Sequence, residues 1–164
     1  MSRIVVMGPS GSGKSLVGAA LAARLRARFV DGDDLHPRAN VAKMASGTPL
    51  DDADRLPWLD AVALVLADQR PVVVACSALR RSYRDRIRAT CPDAWFVELV
   101  VGATQLRDRV SRRDHFMPAT LLDSQLATLE PLGTDEAGAR VANDADLESV
   151  VARIATVRER QSLR

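Results

Sequence analysis

RIVVMGPSGSGKSLVGAALAARLR, residues 3–26, decides the fold of this chain. Arg3 to Met7 is apolar after its first residue and reads as a buried strand. Apolar residues at helical spacing follow (Leu16, Val17, Ala20, Leu21, Leu25) and predict a helix from Ser15 to Arg28. Between the two, Gly8–Ser15 spells G-x-x-x-x-G-K-S. Glycines let the backbone turn tightly enough to aim several N–H groups at one point, and the next helix turns its N-terminal dipole to the same point. Lys14 can reach terminal phosphates, and the Ser15 hydroxyl can ligate Mg²⁺. With a strand before it and a helix after it, the run Gly8, Ser10, Gly11, Ser12, Gly13, Lys14 and Ser15 is read as a phosphate-binding loop.

Outward from this loop, strands and helices alternate. Strands are expected at Phe29–Asp31, Pro71–Ala75, Trp95–Val101 and Arg140–Ala142. Helices are expected at Pro37–Ser46, Asp52–Gln69, Arg80–Thr90, Thr104–Arg112, Ala119–Leu129 and Asp146–Arg160. Pro57 predicts a kink or break in the third helix, and RERQSLR at the end reads as a frayed tail. The alternation implies an α/β fold, a parallel sheet covered on both faces. The 164 residues fit one domain spanning 1–164, with a real core.

Composition narrows the function. The apolar runs are too short to span a bilayer, and the N-terminus has no signal-peptide cleavage pattern, so a cytoplasmic protein without a membrane partner is expected. Aromatic residues are 4% of the chain and scattered, unlike a stacking surface for nucleic acid. Cys76 and Cys91 give neither a disulfide framework nor metal spacing, and Cys76 reads as a buried thiol. Of 23 basic residues only Lys14 and Lys43 are lysine, and both lie inside motifs.

Phosphate-loop proteins include switches, motors, transporters and small-molecule kinases. No guanine-reading N-K-x-D is present, and the one D-x-x-G, Asp135–Gly138, lies far from any switch strand. A transporter-type L-S-G-G-Q is absent, and the run VVVAC ends on Cys76-Ser77 with no acid. Instead, acids close the second strand in FVDGDDLHP. Asp31 and Asp33, two apart on an extended segment, share a side. Gly32 permits an unusual backbone between them. Ligands of open α/β sheets gather at the carboxyl ends of the strands. Both carboxylates are therefore expected to face the phosphates, Asp31 as a Mg²⁺ partner through water and Asp33 as acceptor of a substrate hydroxyl proton.

Four blocks then carry a resemblance: MGPSGSGKS (7–15), DGDDLHPRANVAKMASGTPLDDADRLPWL (31–59), ACSALRRSYRDRIR (75–88) and RRDHFMPATLLDSQLATLEP (112–131). They resemble, in the same order, the gluconokinases of the P-loop type, relatives of shikimate kinase. The resemblance covers roughly half the chain, and its second block is the most specific. Two departures are Pro9 in place of the usual Val and Leu126 where Phe is common. The resemblance implies a three-layer, nucleoside- or shikimate-kinase-like fold of about five strands in the order 2-3-1-4-5. It implies a substrate-binding insertion at about 33–60 and a mobile lid at about 112–119. The implied reaction transfers the γ-phosphoryl group of ATP, with Mg²⁺, to D-gluconate, in a homodimer.

For gluconate, a polyol carrying a carboxylate, arginine forks are the suited donors. The candidates are Arg38, Lys43, Arg80, Arg81 and Arg84, with Arg81 ranked first for its place after a strand end. Arg86 and Arg88 read as a solvated helix face. His36 and His115 are further candidates for the sugar acid. Arg112 or Arg113 is expected to close over the ATP phosphates, and Ala142–Ala145 to pack near adenine. Competing readings are a kinase of another small hydroxy acid such as shikimate, or a non-enzymatic nucleotide-dependent regulatory module.

Overall fold

All five residues of the first strand, β1 (Arg3–Met7), are buried, and their side chains divide with the strand's period of two. Val5 and Met7 point into one apolar cluster, and Ile4 and Val6 into another. Two cores need helices on both faces, which is why the strand reads as continuously apolar.

The computed structural model describes residues 2–112 and 118–163. The elements after β1 are α1 (Lys14–Leu25), β2 (Arg28–Asp31), a 3₁₀ turn (Gly32–Leu35), α2 (Arg38–Ala45), α3 (Asp52–Asp68) and β3 (Val72–Ala75). Then follow α4 (Arg81–Thr90), β4 (Trp95–Val100), α5 (Ala103–Ser111), α6 (Ala119–Thr128), β5 (Gly138–Ala142) and α7 (Leu147–Ser162). The five strands are parallel in the order β2-β3-β1-β4-β5, as expected. Helices α3 and α4 cover one face, through Trp58, Leu59, Leu66, Tyr83 and Ile87. Helices α1 and α7 cover the other, through Val17, Leu21, Val150 and Ile154. A smaller cluster of Leu106, Val110 and Leu122 joins α5 to α6; Leu126 packs on it, so the smaller side chain is accommodated there.

Three expectations need correction. Helix α3 runs unbroken through Pro57. Proline at its sixth position forfeits one backbone bond near the start, and a capping box between Asp51 and Asp54 holds the first turn. The chain end is helical to Ser162 rather than frayed: Trp95 Nε1 donates to Gln161 Oε1 at 2.7 Å, and Gln161 Nε2 donates to the Gly138 carbonyl at 3.0 Å. Arg88 is no solvated residue: it stacks on Phe96 at 4.5 Å and pairs with Glu136 at 2.8 Å.

Arg84 also leaves the list of substrate ligands. Its guanidinium is wholly buried and grips both oxygens of Glu136, at 2.8 and 2.7 Å. It donates as well to the carbonyls of Ala78 and Glu130. Burial alone would push the Glu136 carboxyl up; hydrogen bonds from Arg84, the Gly133 N–H and Arg88 overcome this and hold it at about 2. Because the folded value lies below the ordinary 4.5, this stabilisation is complete above pH 4.5. It is lost as the pH falls toward 2. Glu136→Gln is therefore expected to destabilise by about 3–5 kcal/mol at pH 7, leaving a buried cation short of its partner. Urea unfolding at pH 7 and pH 3 checks this; the difference between wild type and variant must shrink at the lower pH.

Candidate functional site

The phosphate loop spends some of its backbone donors and keeps others free: the Gly8 N–H donates to the Ser77 carbonyl and the Ser12 N–H to the Pro9 carbonyl, while the N–H groups of Gly11, Gly13, Lys14 and Ser15 meet no acceptor among the described residues. Gly8, Gly11 and Gly13 have φ of 151°, 81° and 87°, conformations that other residues rarely adopt. The loop's carbonyls are held from behind: Arg109 donates to the Gly11 carbonyl at 3.1 Å, and Asn143 Nδ2 donates to the Ser12 carbonyl at 2.7 Å. Helix α1 begins at Lys14, and its N-cap, Gly13, offers no side-chain cap, so its first N–H groups are unclaimed. The Ser12 hydroxyl is buried and lacks a partner among the described residues. Lys14 is 9% exposed and pairs with no carboxylate among them. An anion of several oxygens fits this set, as a nucleotide's phosphates would.

The acids at the end of β2 arrive differently from the expectation. The chain does not stay extended past Asp31 but enters the 3₁₀ turn, which Asp31 caps by accepting from the Asp33 N–H at 3.0 Å. Gly32 needs no unusual dihedral. It is demanded by close approach, since a Cβ there would lie 2.4 Å from the Ala75 carbonyl oxygen. The turn separates the two carboxylates. Asp31 Oδ2 accepts from the Ser15 hydroxyl at 2.7 Å, beneath the phosphate loop. Asp33 lines a cleft of about 250 Å³. Ser15 and Asp31 together are the hard oxygen donors that Mg²⁺ takes, with the rest of its shell left to water and phosphate.

That cleft opens between the phosphate loop, α2, the start of α3 and α6. Lys14, Asp33, His36, Arg55, Ser77, Ser124 and Gln125 supply its polar lining; Val41, Met44, Leu50 and Trp58 are among the apolar ones. His36 lies flat on Trp58, ring centroids 4.1 Å apart, and Trp58 is itself fixed by donating to the Gly32 carbonyl at 2.7 Å. Burial holds the His36 imidazole below its ordinary value; Asp33 opposes this and Arg55 adds to it. Arg55 is positioned by the Tyr83 hydroxyl, which accepts from its Nη1 at 3.0 Å and donates to Asp52 at 2.5 Å.

Of the residues expected from sequence, the structure brings Ser10, Lys14, Asp33 and His36 to this cleft. It does not bring Lys43, whose ammonium is spent on Asp54 at 2.7 Å, or Arg81, which turns outward to Asp135 at 2.7 Å. Arg80 is 3.9 Å from Asp52, and Arg38 is exposed on the first turn of α2. Arg112 pairs with Asp108 at 3.2 Å and borders a second cleft on the other side of the loop, with Gly11, Arg109, Asn143 and Ala145. Arg113 and His115, with most of the expected lid, lie outside the described residues. Cys76 is fully buried, and burial pushes its thiol up to about 12, well away from nucleophilic use.

Sequence reasoning missed Arg55, Gln125 and Arg109. Arg55 stood in a run of acids read only as a helix start, yet among the described residues it joins Lys14 as a cation lining the cleft. Gln125 Oε1 accepts from the Ser10 N–H at 2.8 Å and so ties α6 to the phosphate loop.

Comparison with known proteins agrees with this geometry. A family model described as an AAA domain matches residues 4–132. A gluconokinase of Gluconobacter oxydans is 49% identical over 146 residues, covering 86% of this chain and 82% of the relative. The crystal structure of a gluconokinase from Sinorhizobium meliloti superposes with a TM-score of 0.89 at 44% identity, over 99% of this chain and 96% of that one. A shikimate kinase from Bacteroides thetaiotaomicron, at 21% identity and a TM-score of 0.73 over 96% of this chain and 98% of that one, shares the fold.

Proposed function

This chain belongs to the gluconokinase family and is an ATP-dependent phosphotransferase acting on gluconate, and we propose the following division of labour among its residues. The phosphate loop and Lys14 bind the β- and γ-phosphates of ATP. Ser15 would hold Mg²⁺, with Asp31 supporting it through water. When bound, Mg²⁺ neutralises charge on the phosphate oxygens. Asp33 orients the 6-hydroxyl of D-gluconate and takes its proton as the bond to phosphorus forms. The observation that carries this reading is the segregation of the acids: Asp31 is engaged by Ser15, and Asp33 faces the cleft.

At the far end of the sugar acid, Arg55 receives the carboxylate. A guanidinium offers paired N–H groups that match two carboxylate oxygens, and Tyr83 and Asp52 keep it from swinging into solvent. Arg55→Ala is expected to raise the gluconate KM about a hundredfold, the loss of a charge-assisted pair. Tyr83→Phe, which only loosens Arg55, should raise it about three- to tenfold. Steady-state kinetics with varied gluconate at saturating ATP check both. An effect on the ATP KM instead would move Arg55 to the nucleotide.

Arg112 and Arg113 close over the phosphates in this reading, Arg38 and His115 remain sugar-acid candidates, and the protein acts as a cytoplasmic homodimer. A coupled assay of ATP consumption over a panel of aldonates and shikimate tests the assignment, with sedimentation of the same preparation for its assembly. Strong turnover with gluconate alone is expected. Turnover with shikimate, or with none of the acids, refutes it.

A further inference from the structure

We propose that Asn40 is a positioning residue that fixes the His36 imidazole with its proton on Nε2, so that His36 meets the sugar acid as a neutral hydrogen-bond donor. The second half of this statement rests on the gluconate reading; the first does not.

The argument is one of donors and acceptors. Asn40 is 3% exposed, on the first turn of α2. Its amide nitrogen lies 2.8 Å from the Asp54 carbonyl oxygen, which can only accept. That contact sets which way the amide faces. The same nitrogen lies 3.2 Å from His36 Nδ1. An NH₂ group has no lone pair to offer there, so Nδ1 must accept, and the proton of the neutral ring belongs to Nε2. Protonating Nδ1 would set two donors against each other.

The rest of the surroundings keep the arrangement rigid. Asp54 is the third residue of α3 and the second member of its capping box; its carboxylate receives the Asp51 N–H and Lys43 Nζ, so its carbonyl is held in place. Trp58 covers one face of the imidazole. Among the described residues, Asp33 and Arg55 are the charged groups that act on the ring, with opposite effects. Nε2 has no partner among the described residues, yet it is not among the sealed, unsatisfied polar atoms. On a ring that lines the cleft, its N–H is therefore open to a ligand. A donor of fixed direction suits a hydroxyl or carboxylate oxygen of a polyol acid.

Two histidines make the test tractable. Long-range ¹H–¹⁵N spectra of the ligand-free, full-length protein read the tautomer, with His36 assigned by the signals lost in His36→Gln. The Nε2–H pattern is expected, persisting from neutral pH to below the ordinary histidine midpoint. An Nδ1–H pattern, or an average of both tautomers, overturns the proposal. In Asn40→Asp the carboxylate accepts from Nδ1–H, so the pattern should switch and the midpoint rise. If that variant fails to fold, the wild-type spectrum still decides. Kinetics test the donor role. His36→Ala should raise the gluconate KM about three- to tenfold with little change in kcat. His36→Gln, which keeps an N–H near the place of Nε2–H, should recover most of that loss. A KM unchanged in His36→Ala overturns the donor role. Absence of gluconate turnover in the wild type would refute the substrate reading and leave the tautomer, read without ligand, standing.

Discussion

Lys14→Ala is expected to lower kcat about a thousandfold while leaving the melting temperature within a few degrees of wild type. Phosphoryl transfer is mostly positioning and the neutralisation of spread-out charge. Removing one preorganised donor of this kind costs about a hundred- to a thousandfold, and Lys14 carries a full charge. The fold survives because Lys14 makes no ion pair among the described residues. Nothing buried is orphaned when the ammonium leaves, and an unpaired, largely buried cation is itself a cost. A coupled assay and a thermal melt on the same preparation decide the matter. Near-normal turnover would remove Lys14 from the phosphates, and with it the reading of the whole loop.

Asp33→Asn is expected to reduce kcat by a factor of about 10²–10⁴, the range for a proton acceptor in the transition state, with ATP affinity within about twofold of wild type. The amide keeps the size of the carboxylate and can still meet a hydroxyl, but it cannot take the proton. Nucleotide binding is spared because Asp31, not Asp33, is bonded to Ser15. Equilibrium titration with a non-hydrolysable nucleotide in the presence of Mg²⁺ separates the effects. Equal losses in binding and turnover would make Asp33 a metal residue and exchange the roles of the two acids.

The sheet order and the phosphate loop were legible because their signals are local or periodic. The loop motif occupies eight consecutive residues, and buried strands announce themselves as apolar runs. The separate placement of the two acids, Asp31 at Ser15 and Asp33 on the cleft, has a cause that was not legible: an extended segment was expected where a 3₁₀ turn parts them. The arginines were least legible. Arg81 and Arg55 are both charged residues at the start of a helix, and nothing local says that one faces Asp135 and the other the cleft. That difference is set by where α3 and α4 pack on the sheet. Arg84 and Glu136 were invisible as a pair for the same reason, since 52 residues separate two charges that meet only after folding.

β1 is the central strand of the sheet, and it is made before both of the strands it pairs with. Its partners come much later, Arg3 pairing with Val72 of β3 and Ile4 with Trp95 of β4. At about 5–20 residues per second, the ribosome delivers Val72 several seconds after Arg3, and Trp95 later still. During that interval Ile4, Val5 and Val6 have no sheet to join. A nascent chain of this protein thus carries its central strand unpaired on both edges until Val72 has been made, and on one edge until Trp95, and the phosphate loop gains its rigid base only after that delay.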